Sequence, residues 1–247
     1  LIVSHVKHYI WEGKIWAFGG YAREIDIWAD LFPSVVIASP VIEKQPPGDC
    51  LAFTRSNIAV TPVQISEKSG IFNGKLYAFF SLPGAIWKLS RLMRDAWAVH
   101  VRLPGNLGAI GALIAPLFNK RIVAKYAGTW PDFEGEPLSY RIQKKILKSH
   151  WFSGPVTVYG EWPAQPQHIV PFFTSVLTKQ QISLAKMISE RKLLHKPARI
   201  LFVGRLDKGK NAHILLNAIC ELINLGYKCE ARIIGDGNQW EQLQIQT

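Results

Sequence analysis

The sequence predicts an α/β protein built on a doubly wound parallel sheet, followed by the opening of a second unit of the same kind. Short apolar runs alternate with segments whose apolar residues recur at helical spacing, the pattern of parallel strands joined by crossover helices. Toward the end of the chain, Arg199–Asn211 (RILFVGRLDKGKN) reads as strand, cationic loop and helix start. Ile200, Leu201, Phe202 and Val203 form a continuous apolar run, and the run stops at Gly204. The 247 residues, 48% of them apolar, suffice for one large core or two smaller ones, which excludes a disordered chain.

Taken in order, Leu1–Val6 reads as the first strand, and the aromatic stretch HYIWEGKIWAFGG reads as a long loop ending in the turn Phe18-Gly19-Gly20. Tyr21–Phe32 places Ile25, Trp28, Leu31 and Phe32 at helical spacing, and Val35–Ala38 is a strand. Pro40–Cys50 is a Pro-rich connection before a strand at Asn57–Ile65. Pro83–Met93 and Tyr140–Lys148 are amphipathic helices with basic faces. Ala96–Leu103 is a strand, Leu107–Phe118 a buried helix too short to span a bilayer, and Arg121–Tyr126 the next strand. Val156–Tyr159 is expected to be the last strand of the first unit, with a Pro- and aromatic-rich loop behind it. Thr178–Leu194 reads as a helix and His195–Ala198 as the linker, which puts the domain boundary at residues 197 and 198.

In the second unit, apolar residues from Ile214 to Ile223 recur at helical spacing and Gly226 closes the helix. Lys228–Ile234 is a second strand, ending in Gly235-Asp236-Gly237 before a helix at Gln239–Ile245. The two loops are expected side by side at the carboxyl ends of parallel strands. Arg205, Lys208 and Lys210 together with a helix N-terminus then mark a place for an anion.

These residues resemble the opening of the C-terminal domain of GT-B fold glycosyltransferases of the retaining family 4, the group 1 family. The resemblance rests on VGRL, Lys210 five residues after Arg205, the helix with Leu215-Leu216-Asn217-Ala218, and the strand ending IIGDG. It implies two Rossmann-like domains: 1–197 on the acceptor side and 198–247 as the incomplete start of the donor domain. It also implies that Arg205 and Lys210 clamp the diphosphate of a nucleotide-sugar donor, with Gly204, Gly235, Asp236 and the Gly19-Gly20 turn near that donor. Asn211 stands where the family more often has Gly. Arg102 and His100 alternate on one face of their strand and are expected toward its carboxyl end. Tyr126 and Gly128 stand where the family commonly has a His followed by Gly near the acceptor.

The implied activity is transfer of a hexose, with retention, onto a saccharide or lipid-linked acceptor in polysaccharide or glycolipid biosynthesis. No cofactor and no bound metal are expected beyond the donor substrate. Cys50, Cys220 and Cys229 have no metal or disulfide spacing, and the seven histidines form no paired-ligand pattern, which suits a reducing, cytoplasmic setting. The charge of +11 calls for an anionic partner. Lys and Arg outnumber Asp and Glu by 23 to 13 up to Pro197 and by 6 to 5 afterwards, so an anionic membrane surface is a candidate partner of the first domain. No nucleic-acid-binding module is recognisable, and neither glycine turn supplies the G-x-G-x-x-G of a dinucleotide-dependent oxidoreductase. A non-catalytic, glycosyltransferase-like binding domain is the alternative. Because a GT-B site is assembled from two domains, residues 1–247 by themselves are expected to be inactive.

Overall fold

The first strand, β1 (Ile2–Val3), feeds a hairpin of β2 (His8–Trp11) and β3 (Lys14–Phe18), and then helix α1 (Gly19–Leu31). In this computed structural model, residues 1–63, 65, 73–118, 121–173, 177–193 and 197–245 are described, with backbone alone for 73–80. There follow β4 (Val35–Ser39), β5 (Val41–Ile42), β6 (Cys50–Ala52), β7 (Ile58–Pro62), α2 (Asn73–Asp95), β8 (Val99–Leu103), α3 (Asn106–Phe118), β9 (Ile122–Tyr126), α4 (Leu138–Lys148), β10 (Val156–Tyr159) and β11 (Ile169–Phe172). The chain divides into two compact units, Leu1–Val176 and Leu177–Thr247. The second holds α5 (Lys179–Glu190), β12 (Ala198–Val203), a 3₁₀ turn (Lys208–Lys210), α6 (Ala212–Asn224), β13 (Cys229–Ile234) and α7 (Trp240–Ile245). Helix α5 thus belongs with the second unit, and residues 194–196 of the expected helix end and linker lie outside the described residues.

Seven strands form one parallel sheet in the order β11-β10-β9-β8-β1-β4-β7. From the central β1 the chain winds one way through β4 and β7, then crosses back to β8 and winds the other way. This is the Rossmann-like, doubly wound arrangement, and its topological switch point lies between β1 and β8. Side-chain alternation splits the core in two. Val99 and Val101 face α2 and α3 together with Leu89, Met93 and Ala112, all inaccessible to solvent. Ile2 and Ile37 face α1, where Tyr21, Ile25 and Ala29 are buried. Truncating Leu89 or Met93 to Ala would cost about 2–5 kcal/mol each.

Two stretches depart from the sequence expectation. The aromatic segment expected as a loop is a hairpin in which β2 and β3 pair antiparallel, flanked by β5 and β6 in a second, four-stranded sheet. Its two-residue turn, Glu12-Gly13, has positive φ at both positions (50° and 69°), the turn whose twist matches that of the strands it joins. His8, Tyr9 and Ala17 are buried while Ile10, Trp11 and Phe18 are exposed, so burial in this hairpin does not follow the simple alternation of a half-buried strand. The second departure is β11, which pairs parallel to β10 and carries Pro171. As a sheet-edge strand in the order above, it can tolerate the missing N–H.

The expected helix Pro83–Met93 is the C-terminal half of the 23-residue α2. No helix among the described residues is long and apolar enough to cross a membrane.

Candidate functional site

In the second unit the two expected loops are bonded backbone to backbone. The Gly204 N–H donates to the Ile234 carbonyl (3.0 Å), the Leu206 N–H to the Asp236 carbonyl (2.9 Å), and the Gln239 N–H to the Leu206 carbonyl (2.9 Å). Glycine is required for this approach. A Cβ on Gly235 would lie 1.8 Å from the Gly204 carbonyl oxygen, and one on Gly237 2.4 Å from that of Leu206. Leu206 anchors the loop by burying its side chain with Ala212, Leu216 and Leu243.

With Leu206 turned inward, its neighbours turn out. The Arg205 guanidinium is 77% exposed and pairs with Asp207 at 2.8 Å. Lys208 and Lys210 occupy the exposed 3₁₀ turn, which is closed by the Lys210 N–H donating to the Asp207 carbonyl (3.0 Å). Asn211 sits in the left-handed region (φ 56°, ψ 33°), which Gly adopts most easily and Asn tolerates better than most residues. Helix α6 starts there without a side-chain cap and without an acidic residue in its first turn, so no side chain of that turn offsets the partial positive charge that its N-terminus offers an anion. On the other loop, the Asp236 carboxylate accepts from the Gly237 N–H (2.7 Å).

In the first unit a second charged cluster lies beside the switch point, at the carboxyl ends of β8 and β9. Arg102 and Lys125 are register partners on these strands. Both reach Glu24 on α1, Arg102 at 3.1 Å and Lys125 at 2.8 Å. The Lys125 side chain is only 3% exposed, and its ammonium lies over the rings of Phe172 (4.6 Å) and Tyr159 (5.5 Å). The Arg102 guanidinium lies over Tyr21 (5.0 Å). Burial pushes the Glu24 carboxyl up, but Arg102 and Lys125 outweigh it and hold the group below the usual carboxylate range. Two cations against one carboxylate leave one positive charge for an incoming anionic or strongly polar group. This is the carboxyl edge where doubly wound sheets receive ligands.

The other residues singled out by sequence are placed elsewhere. His100 shares the Arg102 face but sits lower on the strand, tilted against the Trp28 ring at 5.1 Å and almost completely buried. Tyr126 points into the opposite core against Trp130 (5.2 Å), where burial pushes its phenol well above the usual range. A Cβ on Gly128 would touch Pro104 and the Tyr126 ring at 3.2 Å, so this glycine serves packing between them. Gly19 and Gly20, expected as a turn, are the first residues of α1, and the Gly19 N–H donates to the Asp49 carbonyl (2.9 Å).

Sequence reasoning overlooked Glu24 and Lys125. Lys125 was visible as a lone cation inside the apolar run IVAKY, open to the argument that singled out Arg102, since a buried cation needs a partner.

Among the described residues no group of three or more His, Cys, Asp or Glu side chains is arranged to hold a metal ion. No known family model matches the chain, and no curated protein matches it.

Proposed function

We propose that the chain belongs to a GT-B type retaining glycosyltransferase, which moves a hexose from a nucleotide-diphosphate sugar onto a saccharide or lipid-linked acceptor. The observation that carries the reading is the loop from Gly204 to Asn211, which brings Arg205, Lys210 and the α6 N-terminus to the carboxyl end of β12 beside the Gly235-Asp236-Gly237 turn. As the sugar leaves, negative charge builds on the donor's β-phosphate. A guanidinium, an ammonium and helix amides fixed there stabilise that charge more than they stabilise the intact donor. Asp207, paired with Arg205 at 2.8 Å, gives up that partner to the diphosphate. The acceptor reaches the carboxyl edge of the first unit, where Arg102 and Lys125 hold a surplus positive charge.

The test is turnover by the full-length gene product carrying Arg205→Ala, Lys210→Ala or Lys208→Ala. Removing one preorganised donor costs about 2.7–4 kcal/mol, or roughly 10² to 10³ in rate, at each of the first two positions. Lys208→Ala stays close to wild type. If wild-type protein binds nucleotide-sugar without transferring it, the fold serves binding rather than catalysis. Near-normal rates for the Arg205 and Lys210 variants remove the diphosphate clamp and the proposal with it.

A further inference from the structure

The charged cluster at the carboxyl ends of β8 and β9 is unbalanced. Among the described residues Glu24 is the one carboxylate paired with it, and it receives both cations, Arg102 at 3.1 Å and Lys125 at 2.8 Å. The other titratable groups that face it are uncharged at neutral pH: burial pushes the Tyr21 phenol well above its usual range and drives the His100 ring down to about 4. One net positive charge is therefore held where only 3% of the Lys125 side chain and 12% of the Arg102 side chain meet solvent. A surplus charge with so little water around it costs free energy until an anion joins it.

The donors leave room for that anion. Arg102 gives one hydrogen bond to a protein acceptor among the described residues, from Nη1 to the Glu24 carboxylate. Its Nε–H and Nη2–H edge, the side-on fork that matches two oxygens of a carboxylate or phosphate, has no acceptor among them. Lys125 likewise gives one, to the other Glu24 oxygen, and its ammonium otherwise lies over the Phe172 and Tyr159 rings. These rings exclude water without neutralising the charge, so its field is weakly screened. Arg102 lies over Tyr21 in the first turn of α1, a turn with no side-chain cap and no acidic residue, so the helix adds partial positive charge beside the guanidinium. Arg102 and Glu24, the latter 17% exposed, are the members that reach solvent, which puts the entry at the guanidinium rather than at the buried ammonium.

We propose that Arg102, backed by Lys125, binds an anionic substituent of the saccharide acceptor, a carboxylate or a phosphate group, so that acidic rather than neutral sugars are extended. The inference rests on the glycosyltransferase reading for calling the ligand an acceptor; binding of an anionic sugar at this edge needs neither donor nor turnover. Glu24 fixes both cations and offsets one of them, which leaves attraction for a single anionic group.

Calorimetric titration of the full chain with glucose, glucuronate and glucose 6-phosphate tests it. The three share a ring and differ in carrying a neutral, a carboxylate or a phosphate group at one end. At least one of the charged sugars is expected to bind with a dissociation constant of about 0.1–1 mM, and glucose roughly ten- to hundredfold more weakly, the worth of a hydrogen bond to a charged group. Glucuronate ahead of glucose 6-phosphate assigns a carboxylate; the reverse order assigns a phosphate. Arg102→Gln leaves the balanced Lys125–Glu24 pair behind, so the fold should be kept and the preference for charged sugars lost. Arg205→Ala should retain that preference, which separates this site from the cationic loop of the second unit. If Arg102→Gln fails to fold, the three sugars on wild-type protein and on Arg205→Ala still decide. Absence of binding by both charged sugars, glucose binding as tightly as they do, loss of the preference in Arg205→Ala, or its persistence in folded Arg102→Gln each overturns the assignment. None of these outcomes touches the glycosyltransferase reading, which turns on the rates of the Arg205 and Lys210 variants.

Discussion

Lys125 on β9 places its ammonium 2.8 Å from the Glu24 carboxylate on α1, with 3% of its side chain exposed. Two elements far apart in sequence are thereby tied across one face of the sheet, and Arg102 on the neighbouring strand shares the same carboxylate. Breaking a buried pair costs more than forming it gains, because the survivor is left charged in a poor solvent.

Glu24→Gln therefore strands two cations and should destabilise the first unit by about 3 kcal/mol or more. Adding Lys125→Met should restore part of that loss, since the double variant removes the uncompensated ammonium. Urea unfolding of the single and double variants checks both statements. Additive losses would show that Glu24 and Lys125 are energetically independent.

Stability should fall as pH drops from about 6.5 to 4. Burial lowers the His8 and His100 rings from the ordinary 6.5 to about 4, and for His8 a hydrogen bond with the Val6 carbonyl offsets the burial only in part. Across that window the unfolded chain binds protons that the folded chain refuses, so the contribution is complete above 6.5 and lost as pH falls through 4. Each ring accounts for about 3 kcal/mol at the acid end. The depressed Glu24 carboxyl acts in a lower window: its contribution is present above the ordinary carboxylate pKa and is lost as pH falls through the folded value. Denaturant unfolding at a series of pH values should show a slope that shrinks in His8→Asn and His100→Phe. A flat profile between pH 6.5 and 4 would contradict the buried, neutral state of both rings.

The central sheet was readable because buried parallel strands are largely apolar runs, as at Val35–Ala38, and as at Ile122–Tyr126 apart from Lys125. The β2–β3 hairpin was not, because Trp, Tyr and Phe at alternating positions suit a strand and an aromatic loop equally until the pairing partner is known. The β12 and β13 loops announced themselves through local glycine and lysine spacing. The Glu24 cluster could not, since it depends on the register that puts Arg102 opposite Lys125 and on the face of α1 turned toward them. His100 shows the limit from the other side. It shares a face with Arg102, but height along the strand separates the cation paired with Glu24 from a buried ring.

Association with anionic membranes is expected to draw on α4 unequally. Lys144, counted in its basic face, is buried against Glu136 (2.6 Å) and Asp132 (2.8 Å) and also donates to the Trp130 carbonyl (3.2 Å), so it pins the preceding loop. The outward face carries Leu138, Arg141, Ile142 and Lys145. At about 1 kcal/mol per basic residue near such a surface, Lys145→Glu should weaken co-sedimentation with anionic vesicles, and high salt should do the same. Equal binding to neutral and anionic vesicles would remove the electrostatic basis.

Gly235→Ala is the sharpest probe of the second unit. Its new methyl would lie 1.8 Å from the Gly204 carbonyl oxygen, and that neighbour is backbone, so no side-chain rotation relieves the clash. The β13 turn must move away from the β12 loop, straining the bonds from Gly204 to Ile234 and from Leu206 to Asp236. Overpacking of this kind costs about 1–3 kcal/mol. The β12 loop that loses these bonds carries Arg205 and Lys210, so under the proposed function nucleotide-diphosphate affinity should fall along with stability. Gly209→Ala is the control: its methyl would meet only the Asp207 carboxylate, at an ordinary 3.4 Å, in the same exposed turn. Unfolding and nucleotide titration of both variants separate the cases. Parity between them would mean that the two loops do not depend on their backbone contact, and that the anion site is not held by the Gly235 turn.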